Sequence, residues 1–193
     1  MDGFQRRAKR KQHSILAAAE NFIITHGLRG TTIQMIAKAA DVSQVSIYNY
    51  FEHKDRVIYE VMKRLLENQT KTFESIVYDA SKTFDKKLDE LLVFTNNALD
   101  DLHEDVIAYL FNRNHKAMRE LLDWYTTNRI MMGMDHLIRE GKKEGVVLNK
   151  ISESSIMAFL GLYKALDFST YHYHKTTLKD LVHMFFYGIR GQS

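Results

Sequence analysis

An all-α fold is what this sequence predicts, and three observations predict it. The 193 residues include no proline and only 9 glycines, so little in the chain interrupts a helix. Apolar side chains recur at helical spacing, as at Ile33, Ile36, Ala37 and Ala40, which fall at i, i+3, i+4 and i+7. The strict apolar–polar alternation of half-buried strands is absent. At 45% hydrophobic and 26% charged, the composition is that of an ordinary globular chain. With no cysteine, disulfides and thiolate metal sites are excluded, and a cytoplasmic location is the expectation. No apolar run approaches the roughly 18 residues of a membrane span. Arg6–Lys11 followed by Ile15–Ala19 faintly resembles a secretory signal, but Glu20 and Asn21 interrupt it and the pattern continues as an amphipathic helix.

The first helix is predicted from about Lys9 to His26, with Ile15, Leu16, Ala19, Phe22 and Ile23 inward and Gly27 as its C-terminal cap. Leu28 to Gly30 link it to the stretch around which the chain is organised, Thr31–Phe51. There, Thr31 or Thr32 is placed to cap a short helix through its hydroxyl. Asp41, Val42 and Ser43 read as a tight turn. Ser43 can cap a second short helix in which Ile47 and Phe51 face inward, while Gln44, Val45, Tyr48 and Asn49 share the other face. Two short helices joined by about three residues, the second with an amide- and phenol-bearing outer face, form the pattern of a helix-turn-helix that lays its second helix in a DNA major groove.

The run T-T-x-x-x-I-A-x-x-A-x-V-S-x-x-x-I-Y-x-Y-F-x-x-K-D resembles the signature of the TetR/AcrR transcriptional repressors, with more than ten positions agreeing in order and spacing. Two departures stand out. Asp41 occupies a position where the family usually has Gly, which suits a left-handed turn; Asp tolerates one better than most residues. His53 stands where a better helix cap is common. The resemblance is specific over residues 10–65. It implies about nine helices in all, a DNA-binding domain over residues 1–54, and a helical effector-binding and dimerisation domain over residues 55–193. Position by position, Thr31, Thr32, Tyr48, Tyr50 and Lys54 resemble the family's phosphate-contacting residues. Gln44, Val45, Ser46 and Asn49 would lie nearest the base edges behind the Ser43 cap, and Gln34 matches a position that reaches DNA in some members. Gln44 suits a bidentate contact to adenine, and Val45 a thymine methyl.

Charge follows the same division. Residues 1–64 hold 11 Lys/Arg and 6 Asp/Glu, a net of +5, and the remainder holds 16 and 18, a net of −2. A phosphate-facing domain followed by a near-neutral one fits this asymmetry. Residues 1–8 read as a loose basic arm. For Arg6, Arg7, Lys9, Arg10 and Lys11 two uses stay open: following or entering a groove of DNA, or solubilising the chain.

Beyond Phe51, Glu52 and His53 form a short turn. A fourth helix starts at Lys54 and runs towards Ser81, with Val57, Ile58, Val61, Met62 and Leu65 on one side. Further helices are predicted at about Thr83–Leu102, Glu104–Asn112, Lys116–Glu144, Ser152–Ser169 and Thr176–Gly188, their acidic starts (Asp85, Glu104, Asp105) complementing the helix dipole. By the resemblance, the last two pack against the same helices of a second subunit. Phe159, Tyr163, Leu178, Val182, Phe185 and Phe186 are the expected dimer contacts. Phe94, Tyr109, Trp124, Tyr125 and Asn128 are chosen as effector-binding residues, since aromatic and methionine linings suit adaptable apolar pockets; the same residues at helical spacing also read as core. The expected partners are double-stranded DNA with a near-palindromic operator, a second copy of the chain and an unidentified small, largely apolar effector, with no membrane and no cofactor.

The alternative is a helical enzyme, metal-dependent or otherwise, or a binding protein that uses its helix-turn-helix for protein contacts only. The sequence contains no G-x-S-x-G, G-x-G-x-x-G or P-loop. His103-Glu104 begins like H-E-x-x-H, but Ile107 replaces the second His. His172 and His174 read as a polar stretch between helices rather than metal ligands.

Overall fold

The computed structural model describes residues 3–112, 115–165 and 175–189, without the side chains of residues 4, 162–165, 175 and 189. The chain is all-α: α1 (Gly3–Gly30), α2 (Ile33–Ala39), α3 (Gln44–Phe51), α4 (Lys54–Val77), α5 (Phe84–Asp101), α6 (Glu104–Leu110), α7 (Lys116–Tyr125), a π-helical turn (Thr126–Ile130), α8 (Met131–Lys143), α9 (Glu153–Ala165) and α10 (Lys175–Ile189). Since α7, the π turn and α8 run on without a break, the described residues form nine helical rods.

Contacts divide the chain into two units, residues 1–65 with 102–110 and residues 66–101 with 111–193. A boundary after residue 54 was expected. The contacts divide α4 between Leu65 and Leu66, and they assign α6 to the N-terminal unit.

In the N-terminal unit, Ile15, Ala19 and Ile23 of α1 are buried together with Ile36, Ile47, Phe51, Val57 and Val61. The N-terminal residues are not the loose arm expected, because α1 is already helical at Gly3. Gln5, Arg6, Arg7, Lys9, Arg10 and Lys11 are strong helix formers, and no glycine or proline separates them from the amphipathic stretch that follows. At Gly27 the backbone leaves the helix, with φ 73° and ψ 176°. That region is essentially reserved for glycine. A Cβ there would also lie 2.6 Å from Asp105 Oδ1 and 2.6 Å from His103 Nδ1. Asp105 is close because its carboxylate accepts from the Arg29 backbone N–H at 3.1 Å, docking the start of α6 against the end of α1.

The second unit is built around Phe73, Val77, Phe84, Leu88, Leu91, Leu137, Ile138 and Val147. Lys87, which lies one turn after Phe84, is only 1% exposed. Its ammonium donates to Glu140 at 2.8 and 2.6 Å. One turn further along α8, Glu144 accepts the Phe84 backbone N–H at 3.2 Å and so caps α5. Two carboxylates one turn apart on α8 thus hold the first turn of α5, and the pairing compensates the burial of the cation. The π turn interrupts what the sequence presents as one long helix. There, Thr126 Oγ1 donates to the Leu122 carbonyl and the Asn128 amide to the Trp124 carbonyl, both at 2.8 Å. Side chains that take main-chain carbonyls four residues back compete with the helical ladder and widen it locally.

Candidate nucleic-acid interface

The helix-turn-helix is fixed by neutral caps. Thr32 Oγ1 accepts from the Met35 N–H at 3.2 Å, and Ser43 Oγ accepts from the Ser46 N–H at 3.1 Å. Between them Asp41 takes φ 53°, the left-handed conformation that the sequence predicts at this turn. His53 is itself a cap: its Nδ1 accepts the Arg56 N–H at 3.1 Å and begins α4. Glu52, with φ 62°, is a second left-handed residue that the sequence reading missed. Nothing in its side chain signals this conformation.

With Ile47 and Phe51 buried, α3 turns its other face outward. Gln44 and Asn49 are exposed, as are Val45 at 66% and Tyr48 at 46%. Thr32, Gln34 and Ser43 are also exposed, while Ser46 is half-buried with its hydroxyl 2.9 Å from that of Ser43. Tyr50 is half-buried, with its ring edge-on to Phe51. Lys54 donates to the Leu28 carbonyl at 2.9 Å, tying the start of α4 to the end of α1. Thr31 departs from expectation. It is fully buried and its hydroxyl donates to the Gly27 carbonyl at 2.7 Å. Its side chain closes the α1–α2 link and cannot reach a phosphate. Of the two adjacent threonines, only Thr32 caps α2.

These two short helices lie within a recognised sequence family. Residues 15–61 match the family model described as bacterial regulatory proteins, tetR family. The segment 15–61, which contains both helices, is thus of the tetR-family type. It is 26% identical over 156 residues to the HTH-type transcriptional repressor KstR2 of Rhodococcus jostii (strain RHA1), covering 78% of this chain and 74% of that protein. Among solved structures it is similar to the fatty acid degradation regulator FadR from Bacillus halodurans, with TM-score 0.64, 22% identity and coverage of 94% of this chain and 97% of that one. It is also similar to FadR from Bacillus subtilis in complex with stearoyl-CoA, with TM-score 0.61, 19% identity and coverage of 92% and 98%. The curated relatives of this chain are transcriptional regulators, which are not enzymes.

The residues chosen for effector binding are divided between the two units. Tyr109 lies on α6, in the N-terminal unit, and burial raises its phenol to about 12. The other four belong to the second unit. Phe94 is half-buried against the core, Tyr125 is buried, Trp124 is 52% exposed and Asn128 is exposed. Trp124 and Tyr125 meet edge to face at 5.0 Å. Sequence reasoning missed the network around Tyr125. Its hydroxyl donates to Glu67 at 2.8 Å, and Arg129 on the π turn donates to Glu74 through Nε and approaches Glu67 at 3.5 Å. The Tyr125 bond foremost lowers the Glu67 pKa, the Arg129 bond lowers that of Glu74, and Glu74 raises that of Arg129. The available signal was the seven-residue spacing of Glu67 and Glu74, two turns on one face of α4.

The expected dimer contacts also divide. Leu178, Phe185 and Phe186 are buried within this one chain, so they are core rather than free interface. Val182 is half-buried, and the Tyr163 side chain lies outside the described residues. Phe159 is 48% exposed and stacks on Phe185 at 6.1 Å. Among the described side chains of α10, the outward apolar groups are Met184 and Tyr187, at 66% and 53% exposed, which the sequence reading did not select. His172, His174 and the stretch 166–169 of the helix predicted at Ser152–Ser169 lie outside the described residues. Ile107, which replaced the second histidine of H-E-x-x-H, is buried, and His103 Nδ1 lies 2.9 Å from Asp105 instead.

Proposed function

We propose that this chain is a sequence-specific transcriptional repressor of the TetR family. It binds a near-palindromic operator as a homodimer in the cytoplasm and releases it when a small, largely apolar molecule occupies the second unit. The observation that carries this reading is the outward face of α3, where Gln44, Val45, Tyr48 and Asn49 stand exposed on a helix whose N-terminus is capped by Ser43. Two such helices, about 34 Å apart, match one DNA turn. The exposed Phe159, Met184 and Tyr187 supply apolar surface on α9 and α10 for pairing two copies. The effector acts by preferring a form whose recognition helices are misplaced for DNA. The complex of a fold-related regulator with stearoyl-CoA makes a long-chain acyl thioester the first compound to titrate.

Two substitutions separate base reading from positioning. Gln44→Ala is expected to relax preference at one or two base pairs of each half-site, about 1–3 kcal/mol of discrimination. Tyr48→Phe is expected to weaken binding similarly on every sequence. Anisotropy titrations on single-base operator variants measure both. An unchanged preference profile for Gln44→Ala would remove Gln44 from the base-reading role.

A further inference from the structure

The second unit holds a buried polar atom that no described residue serves. Gln69 lies on α4 in line with core residues: at about 100° per residue, Phe73 is about 40° and Ile76 about 20° from its direction. Both are buried in the unit's apolar cluster. The Gln69 side-chain carbonyl oxygen is buried as well, and it has no hydrogen-bond donor among the described residues. The adjoining hydroxyl is committed elsewhere, since Thr70 donates to the Leu66 carbonyl at 2.6 Å. An amide oxygen buried without a donor is costly, so a donor from outside the fold is expected to meet it.

The course of α8 shows what stands level with Gln69. Gly133 packs on Phe73 and Gly141 on Phe84. α4 runs in the direction of α8, since His136 meets the Tyr78 ring one turn beyond Gly133 and Phe73. α5 runs against it, since Glu144 holds Phe84 and Glu140 holds Lys87. At about 1.5 Å per residue, the levels of Phe73 and Phe84 are about 12 Å apart, and Gln69 lies about 6 Å further from Phe84. α5 covers those roughly 18 Å in about twelve residues, which brings Asn96 level with Gln69. At this level the inward stripe of α5 thins. Phe84, Leu88 and Leu91 are at most 1% exposed. Thr95 and Ala98 continue the stripe, within about 40° of Phe84. Both are small, and both are only half-buried. The Thr95 hydroxyl donates to the Leu91 carbonyl at 2.8 Å and so does not turn to Gln69. Small, partly exposed side chains on an inward stripe leave room for a ligand at the depth of the buried amide.

We propose that Gln69 is a specificity-determining residue of the effector site: a buried acceptor, level with Thr95 and Ala98, that selects a molecule with an apolar chain and an N–H or O–H donor. The inference rests on the effector reading above and narrows its ligand from apolar to apolar with a donor. Such a site discriminates mainly by rejecting the analogue that lacks the hydrogen, because that analogue leaves the amide oxygen buried and unpaired.

The test is calorimetry on the full chain with two probes that differ at one group. N-decylacetamide carries an N–H, and decyl acetate carries an ester oxygen in its place. The wild type is expected to bind the amide about tenfold more tightly than the ester, or better. Gln69→Leu removes the acceptor and is expected to bind the two probes equally. Without any probe, this variant should melt no lower than the wild type, because carbon replaces a stranded oxygen. A lower melting temperature would place a partner for Gln69 within the fold and overturn the proposal. So would equal binding of the two probes by the wild type, an amide preference that survives in Gln69→Leu, or no binding of either probe. Anisotropy on a selected operator separates the two readings. Gln69-dependent binding of the amide with operator affinity unchanged would uphold the role of Gln69 and remove the release of DNA by effector.

Discussion

The N-terminal unit and the second unit use polar side chains in opposite ways. In the first, the groups beside the turns are mostly neutral and serve the backbone: Thr31 bonds the Gly27 carbonyl, and Thr32, Ser43 and His53 accept helix N–H groups. Its exposed cations Lys9, Arg10, Lys11 and Lys38 face solvent, while Arg56 and Arg64 pair with Glu60 and Glu20. In the second, charged groups are matched with one another: Lys87 with Glu140, Arg129 with Glu74 and Glu67, Lys82 with Asp79 and Glu90, Arg139 with Asp135 and Glu153. A unit that turns positive charge outward suits an external polyanion. A unit that neutralises its charges internally holds its helices in place and leaves apolar chemistry to meet a ligand.

The largest expected effect tests the backbone side of this contrast. Gly27→Ala places a side chain at φ 73°, 2.6 Å from the Asp105 carboxylate, and is expected to destabilise the N-terminal unit by about 2–4 kcal/mol in urea unfolding. A loss under about 0.5 kcal/mol would mean that α6 does not dock there. On the charged side, Lys87→Ala removes a buried stem and leaves Glu140, itself 25% exposed, to rehydrate. About 2–3 kcal/mol of lost stability is expected, below the cost of stranding a fully buried partner. Equal protection of both units by hydrogen exchange in this variant would contradict the assignment of the pair to the second unit alone.

Acid sharpens the contrast further. Hydrogen bonds from Ser81 hold the Asp79 carboxyl down at about 2, against an ordinary 3.8, and Glu67 and Glu74 are held below 4.5. Lowered folded-state values contribute stability that is complete above the unfolded values and disappears as pH falls through the folded ones. The second unit should therefore weaken progressively from about pH 4.5 towards 2, while the hydroxyl caps Thr32 and Ser43 do not titrate. Exchange rates followed separately for α2–α3 and for α7–α8 report the difference. Loss of α2–α3 protection first would reverse it. The smallest effect is a gain: Asp41→Gly relieves a left-handed aspartate and should raise the melting transition by up to about 1 kcal/mol of stability.

What could be read from the sequence follows the range of the interactions. The helix-turn-helix was legible because its rules are local. A cap acts across three residues, the Asp41 turn is one residue long, and Ile47 and Phe51 fix which way α3 faces. Lys87 and Glu140 are 53 residues apart and Arg129 and Glu74 are 55 apart, so nothing in the neighbourhood of either residue announces its partner. The failures within the legible part were failures of register. Thr31 and Thr32 carry the same hydroxyl, and only the path of the α1–α2 link decides that one is buried and the other caps. On α10, Phe185 and Phe186 point into the core while Met184 and Tyr187 point out, a choice set by the rotation of the helix on its neighbours and not by hydrophobicity. The early start of α1 was missed because a charged run was read as an arm, although its residues favour helix.

The most direct measurement is a binding-site selection with the purified chain on random duplexes at two salt concentrations. The expected result is a near-palindrome whose half-sites are one turn apart, recovered at both concentrations and bound less tightly at the higher. Absence of enrichment at either concentration would contradict a DNA-reading role for the exposed face of α3.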